Sequence, residues 1–535
     1  MKPRKNNFLI SIYKKKNYLF SILILYSVYC ALKIGLSWDE QFHIRQGKLI
    51  LNYLLSFGYK NVDFLYRENY SSIYWVFNYF ITTIFPKNFQ IEISHLINLV
   101  FSLSTIIGVS KISKELFNDK IAKLTLVILF FFPVFFGHMG FNNKDTIVAF
   151  SHTWIIYLTI RYLKNQKFED KCKKYIFLLG IVAAIGTGIQ LVFFGSLVPL
   201  IIFILYEIFY FKKIVNKNFS KKKLLYDALK CFIVFYILLI IFWVDTHQNI
   251  FILPFEYLAG TLKDSYWTGW SYNLLNGNFL LSNEVSFLYI AKSLLYKSPE
   301  YFIFLYIVFI CTFLFFNDSY RKEFKNFNYK IFFIIINIIY PTISLMVIPY
   351  PIYDGIRLFL WTLPLLSIIP SLSLYFLFIN NKLIFFKFIN LIVSILFIGF
   401  LINFIKITPY HYTYLNYFAG HKTNLNSKFE NDYWGASIKE LINKFDFNNE
   451  KILISSCGIN EGIAKKYFKQ RGLSKAQFVT LDEADYVIMT NRTVYINKEV
   501  ENIDNITTCF EKYKGQDLVT VSRNKVLLST IRKIK

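Results

Sequence analysis

Four short stretches of the 535-residue chain gather side chains able to move a proton or hold a phosphate. The first is Ser37-Trp38-Asp39-Glu40-Gln41-Phe42-His43, two adjacent carboxylates followed by a histidine. That set could supply a general base, a pair of metal ligands or a hydrogen-bonded brace. It would also suit a helix start, where the dipole favours carboxylates. The second, Gly137-His138-Met139-Gly140-Phe141-Asn142-Asn143-Lys144-Asp145, sets a cation beside a carboxylate. Lys144 and Asp145 could meet a phosphate and a reacting hydroxyl, or Asp145 could cap the following helix. The third runs from Pro349 through Tyr353, Asp354 and Gly355 to Arg357, just before a long apolar stretch. Its arginine could grip a phosphate through two parallel hydrogen bonds or snorkel to headgroups. The fourth, 265–300, mixes Tyr266, Trp267 and Trp270 with Asn273 and Asn276, which suits a sugar or lipid headgroup as well as an interfacial aromatic belt.

The elements that must position these residues are set by an unusual solvent. Hydrophobic residues make up 55% of the chain and aromatic ones 20%, but charged ones only 18%, which argues against a soluble globular enzyme. Stretches long enough to cross a bilayer lie near 18–36, 93–110, 121–137, 145–163, 175–192, 193–211, 227–245, 299–316, 330–348, 357–379 and 384–405, eleven in all. A twelfth, 71–85, contains Asn78 and many rings and reads as a helix lying at the interface. With the N-terminus cytoplasmic, the inside segments hold 29 Lys/Arg in 85 residues and the outside segments 10 in 125. This is the bias that orients spans, and it accounts for most of the +26 net charge without a nucleic-acid stripe. All four polar clusters then fall on the outside face.

Beyond residue 405 no stretch is long enough to span. Lys451 to Ser455 and Tyr486 to Thr490 read as strands and Asn460 to Gln470 as a helix, so 406–535 is expected to be a small α/β domain outside the membrane domain 1–405. Asn424 to Lys428 reads as a flexible joint. The six cysteines show no metal spacing, though Cys457 and Cys509, both outside, are free to pair. His95 and His152 are expected to be packed or bonded to a carbonyl inside spans, and His411 and His421 to lie on the surface. There is no Gly-rich phosphate loop and no Gly-x-Ser-x-Gly, which leaves a nucleotide-driven motor or a serine hydrolase unsupported.

In order and position, these clusters resemble the polytopic C-type glycosyltransferases, in particular the protein-mannosyltransferase and aminoarabinose-transferase branch. Asp39-Glu40 with His43 stands where that branch has an acidic motif after the first span. Asn143-Lys144-Asp145 resembles its second-loop motif, usually Asn-Pro-Lys-Asp, with Asn143 in place of the proline. Tyr353-Asp354-Gly355-Ile356-Arg357, Asn276-Gly277, Lys297-Ser298-Pro299, Pro409-Tyr410 through Asn416 and Asp432-Tyr433-Trp434-Gly435 resemble segments of bacterial members.

The resemblance implies an all-α polytopic membrane protein with about eleven spans and the C-type glycosyltransferase fold, here carrying a small C-terminal α/β domain. It implies transfer of a sugar from a polyprenyl-phosphate donor to a hydroxyl of a protein, lipid or glycan acceptor on the outer face of a bacterial inner membrane, with inversion. Asp39, Glu40 and Asp145 are the expected catalytic carboxylates; His43, Lys144, Tyr353, Asp354 and Arg357 the expected substrate-binding residues. No cofactor is called for, although Asp39-Glu40 has the donors for a divalent ion. A polytopic secondary transporter is the rival reading, but transporters hold their ionisable groups near the midplane on broken helices in repeated halves.

Overall fold

The computed structural model describes residues 5–59, 70–263, 270–348, 350–446, 452–473, 475–496 and 503–534, without the side chains of 5–17, 19, 262 and 263. Helix occupies each of the eleven apolar stretches. Among the described residues six helices are long and apolar enough to cross a membrane: Lys87–Leu116, Glu169–Ile189, Lys221–Phe242, Phe327–Val347, Arg357–Ile379 and Ile384–Lys406. Tyr289–Lys297 and Glu300–Phe315 reach that length only together, across a 118° bend at Ser298-Pro299. The proline starts the second helix, where its missing N–H costs nothing. The helix Ile73–Thr82 has ten residues, about 15 Å at 1.5 Å per residue and half the hydrocarbon thickness.

The spans differ in what surrounds them. Arg357–Ile379 is largely buried inside the bundle, whereas Lys221–Phe242 and Ile384–Lys406 turn most of their apolar surface outward, where only lipid can cover it. At the end of the bundle that holds the second polar cluster, the helix Asp119–Phe130 stops and a short helix, Pro133–His138, begins. This brings Gly137 against the 407–414 turn. A Cβ there would lie 2.0 Å from the Tyr412 amide nitrogen, so only glycine permits the approach.

Among the described residues three β elements gather near this end, the smallest pairing Thr493–Tyr495 with Ile506–Thr508. Tyr272–Leu275 and Asn278–Leu281 form an antiparallel hairpin, with Asn276 and Gly277 both at positive φ, as a two-residue hairpin turn requires. The Asn-Gly pair marks the turn, but the reading of 265–300 as a headgroup-binding cluster missed its strands. Tyr266 and Trp267 lie outside the described residues. Nearer the C-terminus, five strands run in the order Ala476–Phe478, Ile452–Cys457, Tyr486–Thr490, Val526–Lys533, Gln516–Arg523. The first three are parallel, with the helix Glu461–Gln470 between two of them. The last two add an antiparallel hairpin. The core beneath this sheet is shared with the ends of the apolar helices, since Ile34, Leu36 and Phe141 pack with Trp434, Leu441 and Ile531.

Two expectations are corrected here. Asn424 to Lys428 is no loose joint: Leu425 is buried, and the Asn426 carbonyl and side chain accept hydrogen bonds from Asn491 and Asn431. His411 is fully buried and bonded to the Tyr26 hydroxyl at 3.0 Å, because the 407–414 turn folds down against the bundle. His421 is exposed and His95 bonds the Ala31 carbonyl, as expected. Cys457 and Cys509 form a disulfide, with Cα atoms 5.9 Å apart.

Candidate active site

The first acidic pair diverges. Asp39 is the residue before the helix Glu40–Leu55 and makes no capping hydrogen bond with its side chain. Glu40 turns back: one oxygen accepts the Ser37 amide at 2.6 Å and the other meets His95 Nε2 at 2.8 Å, with the side chain 1% exposed. The two carboxylates therefore do not converge on a common point. Asp39 stays 26% exposed and faces Arg357 at 3.7 Å. One turn on, His43 stacks on Trp75 with ring centroids 4.1 Å apart and bonds Asn143 Oδ1 through Nδ1. Burial, opposed in part by Asp39, lowers its pKa to about 4. The ring is neutral at pH 7 and donates Nδ1–H to the amide oxygen.

In the second loop it is Asn142, not Asp145, that caps the helix Asp145–Asn165. Asn142 Oδ1 accepts the Asp145 amide at 2.9 Å and the Lys144 amide at 3.2 Å, while Asn142 Nδ2 donates to Asp145 Oδ2 at 2.9 Å. The Asp145 carboxylate is thus held facing Arg357 Nε at 3.7 Å. The Asn143 carbonyl accepts from Trp75 Nε1, and Lys144 Nζ reaches the Tyr70 hydroxyl at 3.0 Å.

Arg357 is the hub. Its guanidinium lies between the rings of Tyr353, at 5.0 Å, and Trp434, at 4.5 Å. It faces Asp39, Asp145 and, at 3.4 Å, Asp354. It is buried, so the snorkelling alternative fails: aromatic faces and carboxylates hold the guanidinium inside the protein. Asp354 and Gly355 both have positive φ. The hairpin region buttresses that turn: Asn273 Nδ2 donates to the Ile352 carbonyl, and the Gly355 amide donates to the Tyr289 hydroxyl. All eight expected site residues thus lie at one end of the bundle, seven of them around Arg357 and the second loop, with Glu40 turned to His95.

The reading of the sequence missed four members. Arg492, on the segment after the strand Tyr486–Thr490, is buried, donates through Nη1 to Asp354 Oδ1 and lies over Trp270 at 4.3 Å. The same Nη1 is 3.8 Å from Glu430, whose oxygen accepts the Thr493 amide at 2.9 Å. Burial pushes the Glu430 carboxyl up, against the pull of Arg492. Trp434 and Lys297 complete the set, Lys297 with its ammonium 5.7 Å from the Tyr433 ring. Both lie in motifs already singled out. Arg492 left a fainter signal: the chain uses ten arginines against fifty lysines, so an isolated arginine marks a place where lysine would not serve.

A bundle of apolar helices thus gathers carboxylates around a buried arginine at one of its ends. The fold is similar along nearly its whole length to ArnT from Cupriavidus metallidurans in the apo state, with a TM-score of 0.50 at 11% identity over 97% of this chain and 98% of that one. The same protein bound to undecaprenyl phosphate aligns at TM-score 0.49 and 9% identity over the same shares. The apo oligosaccharyltransferase of Archaeoglobus fulgidus aligns at 0.46 and 11% identity, over 89% of this chain and 70% of that one. By sequence, residues 73–243 match the family model of the dolichyl-phosphate-mannose-protein mannosyltransferases. No curated protein matches the sequence. The family match and the shared fold bear out the resemblance to the mannosyltransferase and aminoarabinose-transferase branch, and with it a membrane glycosyltransferase drawing on a lipid-linked sugar. They do not favour a transporter.

Proposed function

We propose that this chain transfers a sugar from a polyprenyl-phosphate donor to an acceptor hydroxyl at the outer face of a bacterial inner membrane. Asp39 takes the acceptor's proton as its oxygen attacks the anomeric carbon. The bond from that carbon to the phosphate oxygen breaks, and the departing phosphate gains charge that Arg357 and Lys144 meet. Attack opposite the leaving group inverts the anomeric centre and needs no covalent sugar intermediate.

The single observation that carries the assignment is the difference in freedom among the carboxylates around Arg357. Asp39 is 26% exposed, Asp145 5% and Asp354 1%. Asp39 alone of the three has room for an approaching hydroxyl. Asp145 and Asp354 hold the guanidinium, and Glu40 braces the first loop through His95. His43 and Tyr353 position the second loop and the arginine. The closing test is Asp39→Asn: transfer falls while donor binding holds, and near-normal turnover in the folded variant ends the assignment.

The same reading places eleven spans across the membrane, the N-terminus in the cytoplasm and 406–535 outside as a second domain. The basic asymmetry supports this, as does the Cys457–Cys509 disulfide, a bond at home in an oxidising compartment. A cysteine reporter in 406–535 then reacts with an impermeant thiol reagent added outside; labelling only after lysis would overturn the orientation.

A further inference from the structure

The short helix Tyr289–Lys297 shows two faces. On one, Tyr289, Ile290 and Ser293 are buried. The Tyr289 hydroxyl accepts the Gly355 amide at 3.0 Å and donates to Asn273 Oδ1 at 2.7 Å, so this face bears on the turn that precedes Arg357. On the other, Leu288, Lys292 and Leu295 are exposed, four and three residues apart and hence on one side of the helix. Tyr417 and Phe418 extend that apolar face, and the four apolar side chains are between 43% and 68% exposed. The turn carrying the two rings is not loose. Asn416 donates from its amide to the Tyr296 carbonyl at 2.9 Å and from Nδ2 to the Ser298 carbonyl at 2.8 Å, while Glu300 accepts the Tyr417 amide at 2.9 Å and the Tyr414 hydroxyl at 3.0 Å. A fixed apolar patch left in water is costly, so something covers it.

The chain beside the patch indicates what covers it. Glu300 opens the helix Glu300–Phe315, and Ile307, Ile310 and Leu314 turn outward from that helix, a surface suited to lipid. The 118° bend sets the shorter helix within about 30° of a right angle to the longer one, the attitude of a helix lying along a membrane surface. The patch therefore begins where the lipid-facing surface ends. Lys292 stands between Leu288 and Leu295, placed to extend its ammonium to headgroups. Lys422, Lys406 and Lys525 gather beside Tyr417: burial lowers the Lys422 pKa, Tyr417 opposes this, and the two other cations add to the lowering. Apolar side chains rimmed by lysines match a leaflet of anionic headgroups. Resting on the reading of 299–316 as a span, we propose that Leu288, Leu295, Tyr417 and Phe418 sit in the headgroup boundary of a leaflet bearing anionic phospholipid. Tyr289 carries this anchorage to the turn before Arg357, which anionic lipid thereby tightens.

The test uses the full-length protein in nanodiscs of phosphatidylcholine, with or without phosphatidylglycerol. With p-benzoylphenylalanine in place of Phe418, irradiation should give an adduct of phospholipid mass. A cross-linked second copy, or no lipid adduct, would overturn the seat. The same probe in place of Leu314 reports on the span: no lipid adduct there would end the reading of 299–316, a result distinct from silence at Phe418 alone. Amide hydrogen exchange over 352–357 should slow roughly fivefold when phosphatidylglycerol is present, the worth of one lysine at an anionic surface. Lys292→Gln should shrink that difference. Tyr417→Ser with Phe418→Ser should abolish it, whereas Tyr417→Leu with Phe418→Leu keeps the face apolar and should retain it. Equal exchange in the two lipids, or a loss in the leucine pair as complete as in the serine pair, would overturn the link to the turn. The cross-link requires neither pair to fold.

Discussion

Arg357 and Arg492 face Asp354 from two sides, yet they come from regions assembled by different rules. Arg357 opens a membrane helix, and its neighbours Tyr353, Asp354 and Asp145 sit at helix ends that the bilayer itself lines up on one face. Arg492 belongs to the C-terminal sheet region and reaches Asp354 across 138 residues of chain. Its segment is pinned by the Cys509 amide bonding the Arg492 carbonyl at 2.9 Å and by the Thr490 hydroxyl bonding the Gly458 carbonyl at 2.8 Å. Gly458 is needed there, with φ of +68° and an added Cβ only 2.4 Å from that of Arg492. The membrane region thus supplies Arg357 and the carboxylates of Asp39 and Asp145 that face it, and the sheet region supplies a second guanidinium on Asp354.

The sharpest way to break this division is at Asp39. Asp39→Asn keeps the size and removes the base, so single-turnover transfer should fall roughly 10²- to 10⁴-fold. A similar fall on substituting Glu40 by Gln with Asp39 intact would show that the exposed carboxylate is not the special one.

Arg492 tests the other half. Arg492→Ala leaves Asp354 buried beside one arginine in place of two, and transfer should fall on the order of 100-fold as Arg357 is pulled toward it. If charge balance is the cause, adding Asp354→Asn should recover part of that loss. A purely structural role predicts that the double variant is no better than Arg492→Ala, which steady-state kcat and KM for donor would reveal.

The disulfide should matter to stability more than to chemistry. Replacing both Cys457 and Cys509 by Ser opens a loop with a sequence separation of 52, worth roughly 4 kcal/mol in the chain-entropy account. The variant should unfold at lower temperature in its sheet region while turnover below that temperature stays within a fewfold of the parent.

The smallest effect is expected from His43. Its folded pKa, about 4, lies below the ordinary 6.5, so as pH falls below 6.5 the unfolded chain takes up a proton that the folded one refuses. Stability present above pH 6.5 is lost progressively toward pH 4, by about 3 kcal/mol in all. His43→Gln should flatten that part of the thermal-stability profile, whereas an unchanged slope would show that other groups dominate it.

Much of this was legible in the residues. Apolar stretch length and the basic asymmetry locate the helices and separate their two ends, and the pattern Asp39-Glu40, Lys144-Asp145, Arg357 falls at one end by that argument alone. Two of the three parallel strands, Ile452–Cys457 and Tyr486–Thr490, and the helix Glu461–Gln470 were readable from short apolar runs, but the edge strand Ala476–Phe478 was not. The final hairpin was not, because Gln516–Arg523 is mostly exposed and carries little periodicity. Nor was the role of Glu40 against Asp39: adjacent carboxylates look alike until one finds His95, and nothing local to either residue announces that partner.

By itself, then, the sequence determined the solvent, the helical bundle and the end of that bundle at which ionisable groups collect, since each follows from transfer free energies that add along the chain. Only the tertiary structure decided which carboxylate stays free, that Arg357 is caged rather than snorkelling, and that Arg492 closes the site from the far end of the chain. Those outcomes depend on pairings between residues distant in sequence. Such a pairing is set by how helices and sheet pack together, and its energy belongs to both partners at once, so neither residue's neighbourhood carries it alone.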